Sequence, residues 1–496
     1  MGDRGSLVAL ATVLAALSGC ASTSAKPAFK DVAQNVESRS GHKIRWDQDT
    51  QADKEAEQAI DRLLAADLTA DAAVQVALLG SPALRGKLEE LAISQADLVQ
   101  AGLLKNPVFT FGSTAWDGEH ISPNLFAAVE QDFLDIIVMP LRKRVAAAEL
   151  EATKLEVADH VLELAAHVRE AFYMAQAAEQ VMAMRALVDE AAASSADLAR
   201  AQHQAGNIND LGLSNELGLA AQTALEKKRS EGEAIVAREK LNKLMGTWGP
   251  RTAWKMQPRL PELPPNEPPL ERLESEAIAQ RLDIAAARRN IQALGYALSM
   301  TKTTRWTGVV NVSVEAGRLR HNNRFAFGPA VALEIPLFDR RQAQIAKLEA
   351  FKRQAEDELR GLAVDVRADV RSSRARVQTA RGVVEQYANV IVPLRENVVK
   401  LSQEQYDAML IGVYQLILAK QEELSSYRDF IEAVRDYWIA RSDLERAIGG
   451  RLGAASKVAS PAAAGAATIT PPPPPAAKPA APPSPTAPPA DHAGHH

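Results

Sequence analysis

The sequence predicts a mainly α protein with a small β portion suited to a membrane barrel, built as two tandem repeats, each a β-hairpin followed by long antiparallel coiled-coil helices. Two glycine-containing segments, Gly206–Leu211 and Gly412–Leu416, lie 206 positions apart and each interrupts a long, alanine-rich, proline-poor stretch. Around them apolar residues step by three and four: Val157, Val161, Leu164, Val168, Ala171, Ala175, Ala178 and Met182 in the first copy. The second copy repeats this through Val377, Ala380, Val384, Tyr387, Ile391, Leu394, Val398 and Leu401, then Leu424, Tyr427, Ile431, Val434 and Trp438. That is a coiled-coil seam, with a short Gly-containing turn joining the arms and each glycine read as a helix C-cap. About 60–70 helical residues per arm would make rods of roughly 100 Å.

The strands come just ahead of each long helix. Val310–Glu315 alternates valines with polar residues, and Phe325–Leu337 alternates large apolar side chains with small or charged ones. The first copy offers Val108–Ser113 and Asn124–Phe133, separated by the turn-rich Asp117–Asn124. Apolar residues on one face and polar on the other suit a strand between lipid and an aqueous lumen, or a soluble hairpin packed on a helical body. Small barrels need about eight strands, so four close a barrel only in an oligomer.

Arg4, the apolar run Leu7–Ala16 and then Leu17-Ser18-Gly19-Cys20 read as a secretory signal over residues 1–19 ending in a lipobox. Cys20 is the only cysteine, so no internal disulfide exists, and it is expected to be the acylated mature N-terminus. Ala21 after it is compatible with outer-membrane sorting. A lipid anchors without spanning. The remaining domains are a lipid-anchored leader at 20–70, a first repeat at 71–249, a Pro-rich link at 250–270, a second repeat at 271–453, and an Ala/Pro-rich tail at 454–496 expected to be disordered. A net charge of −5 without a basic face argues against nucleic-acid binding. No apolar run after residue 20 approaches the ~20 residues of a membrane helix. There is no nucleophile elbow, phosphate-cradling glycine loop or His-Glu metal helix, so the chain is not expected to be an enzyme or to carry a cofactor beyond the lipid.

The second repeat carries Ile335-Pro336-Leu337-Phe338-Asp339 followed by Arg340-Arg341, then Val392-Pro393-Leu394, Tyr406, Gly412, Leu416, Gln421, Leu424 and Tyr427, and finally Tyr437, Ala440, Leu444 and Gly449. The first has Pro82-Ala83-Leu84, Asn106-Pro107 and Ala205-Gly206. Over roughly residues 70–450 this pattern resembles the TolC-type outer-membrane factors of Gram-negative tripartite efflux systems, in their lipoprotein form. It departs at Phe133–Leu141, a longer strand-to-helix junction than Leu337-Phe338-Asp339.

The resemblance implies a homotrimer whose strands complete a twelve-stranded outer-membrane barrel, continued by a helical tunnel across the periplasm. It implies a passive exit duct working with a periplasmic adaptor and an inner-membrane pump. Gly206 and Gly412 would then mark the periplasmic tips, with Ile208, Leu211, Ile411 and Leu416 contacting the adaptor. Candidate gate carboxylates near the three-fold axis are Asp197, Asp210, Glu404 and Asp407, which on a plain coiled coil would be solvated surface groups. His492, His495 and His496 can bind Cu(II), Ni(II) or Zn(II), or form an inert polar terminus; they make copper a candidate cargo, with a general drug or small-molecule exporter as the alternative. Met182 lies on the seam, where core packing accounts for it. A lipid-anchored coiled-coil adaptor remains a further alternative, although such proteins carry one hairpin rather than two.

Overall fold

The structure, a computed structural model, describes residues 22–46, 51–114, 124–267, 271–308, 310–318 and 325–452. In chain order its elements are α1 (Lys26–Ser40), α2 (Gln51–Ala65), β1 (Asp67–Leu68), α3 (Ala70–Gly80), α4 (Pro82–Ala101), β2 (Val108–Thr114), β3 (Asn124–Asp132), α5 (Leu134–Gln204), α6 (Asp210–Met245), β4 (Lys255–Met256), α7 (Leu273–Gln280), α8 (Leu282–Thr303), β5 (Val310–Arg318), β6 (Phe325–Leu333), α9 (Gln342–Gln386), α10 (Val392–Asp407) and α11 (Val413–Ile448). The sequence's two-repeat plan is visible in this order: hairpin β2–β3 leads into α5, and hairpin β5–β6 leads towards α9.

α5 runs 71 residues without a break, about 105 Å at the helical rise. Its alanine content lets neighbours approach, and Val157, Val161, Val168, Ala171 and Ala175 of the expected seam are fully buried. The outgoing arms match the expected length, but the return arms do not: α6 and α11 are 36 residues each. The remaining length beside α5 and α9 is filled by α4 and α8. α6 ends at Gly246 in the left-handed conformation (φ +70°), where a Cβ would stand 2.8 Å from Pro82 Cδ at the start of α4. α11 ends at Gly449 (φ +79°), with Arg281, just ahead of α8, 3.2 Å from such an atom. Each glycine satisfies its helix's last carbonyls and lets one helix abut the next.

Two hydrophobic cores sit partway along α5 and α9. The first joins Val32 and Val36 of α1, Leu78 of α3, Leu84, Leu88 and Leu91 of α4, the middle of α5, and Leu241 and Met245 of α6. The second joins Val366, Val370, Val377 and Val384 of α9 to Val434, Tyr437 and Leu444 of α11 and Leu273 and Ala277 of α7. Full burial of each such aliphatic side chain is worth about 1.5–3 kcal/mol. Tyr173 stacks on Trp438 at 5.5 Å, so the cores meet.

The second seam departs from expectation past Ile391. A π turn spans Tyr387–Ile391, with the Val392 amide donating to the Tyr387 carbonyl. Pro393 explains it: the ring has no N–H for the carbonyl four residues back and would collide with it, and a widened turn relieves the collision. The extra residue rotates the helix beyond it, so Leu394 and Leu401, which continue the three-four stepping, are exposed.

The sheet order is β2-β3-β5-β6, antiparallel throughout. Register places Phe109, Val129, Val314 and Pro329 in one row and Phe111, Ala127, Ala316 and Phe327 in the next. One face therefore carries these with Leu125, Phe325, Val331 and Leu333. The opposite face carries Thr110, Gly112, Phe126, Ala128, Glu130, Asn311, Ser313, Glu315 and the alanines of β6. β6 stops at Leu333, short of the expected Leu337, because Pro336 cannot donate to a ladder. At the other junction the Phe133–Leu141 segment is short in space: Leu134 already begins α5, and Pro140 lies within its first turns.

Candidate functional site

Three regions combine the chemistry the sequence pointed to: the sheet, the strand-to-helix junctions and the turns at the far ends of the hairpins.

Each edge strand of the sheet, β2 and β6, is paired on one side only. The apolar face is largely uncovered, with Phe109, Phe111, Phe325 and Phe327 between 68% and 85% exposed. On the polar face Glu130 faces Ser313 and Glu315 faces Ala128, so two carboxylates lie diagonally across one strand pair. A Cβ on Gly112 would meet the Phe126 ring at 2.5 Å; glycine here makes room for the one large aromatic on that face. Strands of seven to nine residues approach the length that crosses a bilayer when tilted. None of the described helices is long and apolar enough to cross a membrane.

Where β3 meets α5, the Arg142 guanidinium donates to both Asp135 oxygens, at 2.5 and 3.2 Å, and to the Leu103 carbonyl at 3.1 Å. The Lys105 amide adds a 3.3 Å bond to Asp135. Burial pushes the Asp135 carboxyl up, but these donors prevail and hold it below the usual carboxylate range.

The two hairpin turns share one backbone plan. In the first, Gly206 takes φ +76° and the Asn207 amide reaches back to the Gln202 carbonyl at 2.9 Å. In the second, Met409 takes φ +58° and the Leu410 amide reaches Gln405 at 2.9 Å. Both are Schellman-type closures. Asn209 then caps α6, its side chain accepting from the Gly212 amide at 2.9 Å, whereas Gly412 caps α11. Gly206 thus corresponds to Met409 (409 − 206 = 203) and Asn209 to Gly412. The repeat offset is 203 here rather than 206, and Gly412 is an N-cap in extended backbone, correcting the expected C-cap. The signal missed was that an αL helix end accepts a methionine.

Of the expected docking residues, Leu211 is well exposed and Ile208, Ile411 and Leu416 are half-buried. Sequence reasoning missed Met409 and Leu410, which are 93% and 75% exposed. Among the candidate gate carboxylates, Asp197 pairs with Arg200 at 2.5 Å and Asp210 with His203 at 2.8 Å. Asp407 accepts from Gln403 at 2.9 Å, and Glu404 is exposed. Asp197 and Asp210 lie on the first hairpin, Glu404 and Asp407 on the second. Cys20, His492, His495 and His496 lie outside the described residues. Among the described residues no cluster of three His, Cys, Asp or Glu side chains is arranged to hold a metal.

A polar network near the helix junctions had no sequence signal at all. Asp71 lies 3.4 Å from His42 Nε2, 3.4 Å from Arg169 and 3.2 Å from Arg451. The His42 hydrogen bond, with the two arginines, holds the Asp71 carboxyl well below the usual range against its burial. Nearby Asp159 is pushed up to about 6 by burial and by Asp283, with Arg281 and Arg446 opposing.

No family model and no curated protein sequence matches this chain. Solved structures do. The Campylobacter jejuni CmeC outer membrane channel superimposes with a TM-score of 0.67 at 13% identity, covering 82% of this chain and 91% of that one. The outer membrane protein VceC of Vibrio cholerae gives 0.63 at 17% identity, covering 77% and 96%. A membrane protein from Pseudomonas aeruginosa gives 0.64 at 19% identity, covering 77% and 93%. Tandem strand hairpins, helices spanning most of the molecule and near-complete coverage of these neighbours place the chain in one structural class: it has the fold of the outer-membrane channel proteins, the fold expected of a TolC-type outer-membrane factor.

Proposed function

We propose that this protein is the outer-membrane duct of a tripartite efflux assembly, a passive exit for compounds drawn from the periplasm or cytoplasm. The observation that carries the reading is the sheet: four strands with two open edges, one apolar face and one polar face, continuous with helices about 100 Å long. An isolated sheet of this kind leaves ladder groups unpaired and phenylalanines uncovered; closing edge to edge in a homotrimer pairs the first, and a surrounding bilayer covers the second. Twelve strands then enclose a lumen lined by Glu130, Ser313 and Glu315, with phenylalanines towards lipid.

In this assembly acylated Cys20 anchors each chain to the outer membrane, and the turns at Gly206 and Gly412 meet a periplasmic adaptor that links the duct to an inner-membrane pump. Leu211, Ile208, Ile411 and Leu416, joined by Met409 and Leu410, supply the apolar contact. Asp197, Asp210, Glu404 and Asp407 are the candidates for carboxylate rings that gate the lower end. Substrates include heavy-metal ions such as copper, delivered past His492, His495 and His496, with general small-molecule export as the competing cargo.

A deletion strain complemented with full-length protein or with protein truncated before Asp491 tests both levels. Restored resistance to copper, zinc, nickel or cobalt by the full-length form alone supports metal export through the tail. Restored resistance to hydrophobic drugs by both forms supports a general duct. No restoration by either, together with no conductance in planar bilayers, removes the channel reading. Cys20→Ala should leave protein in the soluble periplasm or as unprocessed precursor; unchanged outer-membrane sedimentation and processing counts against the anchor.

A further inference from the structure

The two strand-to-helix junctions treat their cations differently. At the first, Lys105 pairs with Asp132 at 3.0 Å and Arg142 with Asp135. At the second, residues 302–308 and 334–347 contain Lys302, Arg305, Arg340, Arg341 and Lys347 against Glu334 and Asp339. Lys302 is engaged by Glu349 at 2.6 Å. Asp339 is turned onto its own loop, accepting from the Arg341 amide at 2.7 Å. Arg305 and Arg340 form no ion pair among the described residues; instead both lie against one indole, 4.7 and 5.0 Å from the Trp306 ring centroid.

The loop that presents Arg340 is held in place. Gln342 accepts from the Arg340 amide at 2.7 Å and donates to the Phe338 carbonyl at 3.1 Å, while Arg341 donates to Thr304 at 2.5 Å. Beside these cations the surface is apolar: Ile335, Leu337 and Phe338 are all well exposed, Phe338 at 93%. Ile335 and Leu337 follow Leu333 at the spacing of the apolar face. The cluster therefore begins where the phenylalanine-bearing face ends.

Two guanidiniums without carboxylates, an indole and protruding aliphatic and aromatic side chains match one ligand, a phosphate ester attached to hydrocarbon. We propose that Arg305, Arg340 and Trp306, with Leu337 and Phe338, bind the headgroup of an anionic phospholipid at the bilayer boundary. This rests on the membrane reading of the sheet. Free phosphate would satisfy the guanidiniums but leave the apolar half of the site unused, so the bilayer lipid is the occupant.

The test uses full-length protein in nanodiscs of phosphatidylcholine alone or with a minor fraction of phosphatidylglycerol, measuring co-purified lipid and thermal stability. Wild type should enrich phosphatidylglycerol, and Arg305→Gln with Arg340→Gln should lower that enrichment roughly tenfold or more. Arg305→Lys with Arg340→Lys should retain most of it, and Arg360→Gln, farther along α9, should retain all of it. Inorganic phosphate in solution should neither stabilise the protein nor displace the lipid. Equal enrichment in wild type and the double glutamine variant, or stabilisation by phosphate alone, overturns the site while leaving the membrane reading intact. Failure of wild type to enter either nanodisc overturns both.

Discussion

The two hairpin turns close on the same backbone plan with opposite chemistry. The first uses glycine at its left-handed position, caps the return helix with an asparagine side chain and bridges the turn with His203 and Asp210. The second puts Met409 in the left-handed position and caps with a glycine, which has no side chain to accept a bond. A left-handed methionine costs about 1 kcal/mol relative to glycine. What the second turn gains is apolar surface: Met409, Leu410, Tyr414 and Leu418 are exposed. Duplication preserved the fold of the turn while one copy kept its local stability and the other exchanged it for a face.

The sharpest way to break the comparison lies higher in the rods. Val161 and Leu394 belong to equivalent three-four patterns, yet Val161 is fully buried and Leu394 is not. Val161→Asp should destabilise by about 4 kcal/mol through an unpaired buried charge, and Leu394→Asp should change stability by under about 0.5 kcal/mol. Thermal unfolding of the detergent-solubilised protein measures both, and comparable losses would mean that the π turn does not rotate the second seam.

The helix junctions give the next contrast. Gly246→Ala should cost about 3 kcal/mol, since it adds a 2.8 Å collision to left-handed strain, while Gly449→Ala, with 3.2 Å clearance, should cost about 1–2 kcal/mol. A reversed ranking in the same melts would show that α8 gives less than α4.

Asp159 distinguishes the copies by pH, for Leu362 stands 203 positions on. Its folded value of about 6 exceeds the ~3.9 of a free aspartate, so the folded chain holds the proton more tightly. Its contribution is most favourable below about pH 4 and is lost as pH rises through 6. Asp159→Asn should therefore flatten this decline and raise neutral-pH stability by roughly 2 kcal/mol. A decline unchanged in the variant would assign it to other groups.

The smallest effects come from exchanging the turns. Met409→Gly should stabilise by about 1 kcal/mol and Gly206→Met should destabilise by about as much. If the exposed face docks a partner, Met409→Gly will also weaken efflux; full efflux with higher stability would leave the methionine without that role.

The strands and rods were legible because alternation and three-four stepping are local. Val310–Glu315 fell on β5 and Val157–Ala175 on the buried stripe of α5. The seam misled past Ile391 because Pro393 acts on the turn before it, and stepping rules assume a constant helical pitch. The turn equivalence slipped by three because glycine was taken as the marker of the left-handed position. The network of His42, Asp71, Arg169 and Arg451 joins residues up to 409 positions apart, beyond any local pattern. Arg305 and Arg340 were visible as letters, but that both lie against Trp306 and form no ion pair among the described residues emerged only from the fold.

The π turn at Tyr387–Ile391 also divides the second rod mechanically. Below it α10 is 16 residues long, a lever of about 24 Å, anchored above by the packed valines of α9 and bearing exposed leucines along its length. Rotation concentrated at the widened turn is multiplied over that lever, so a few degrees at the pivot become a displacement of ångströms at Met409. The first rod is unbroken through 71 residues, so the widened turn belongs to the second rod alone.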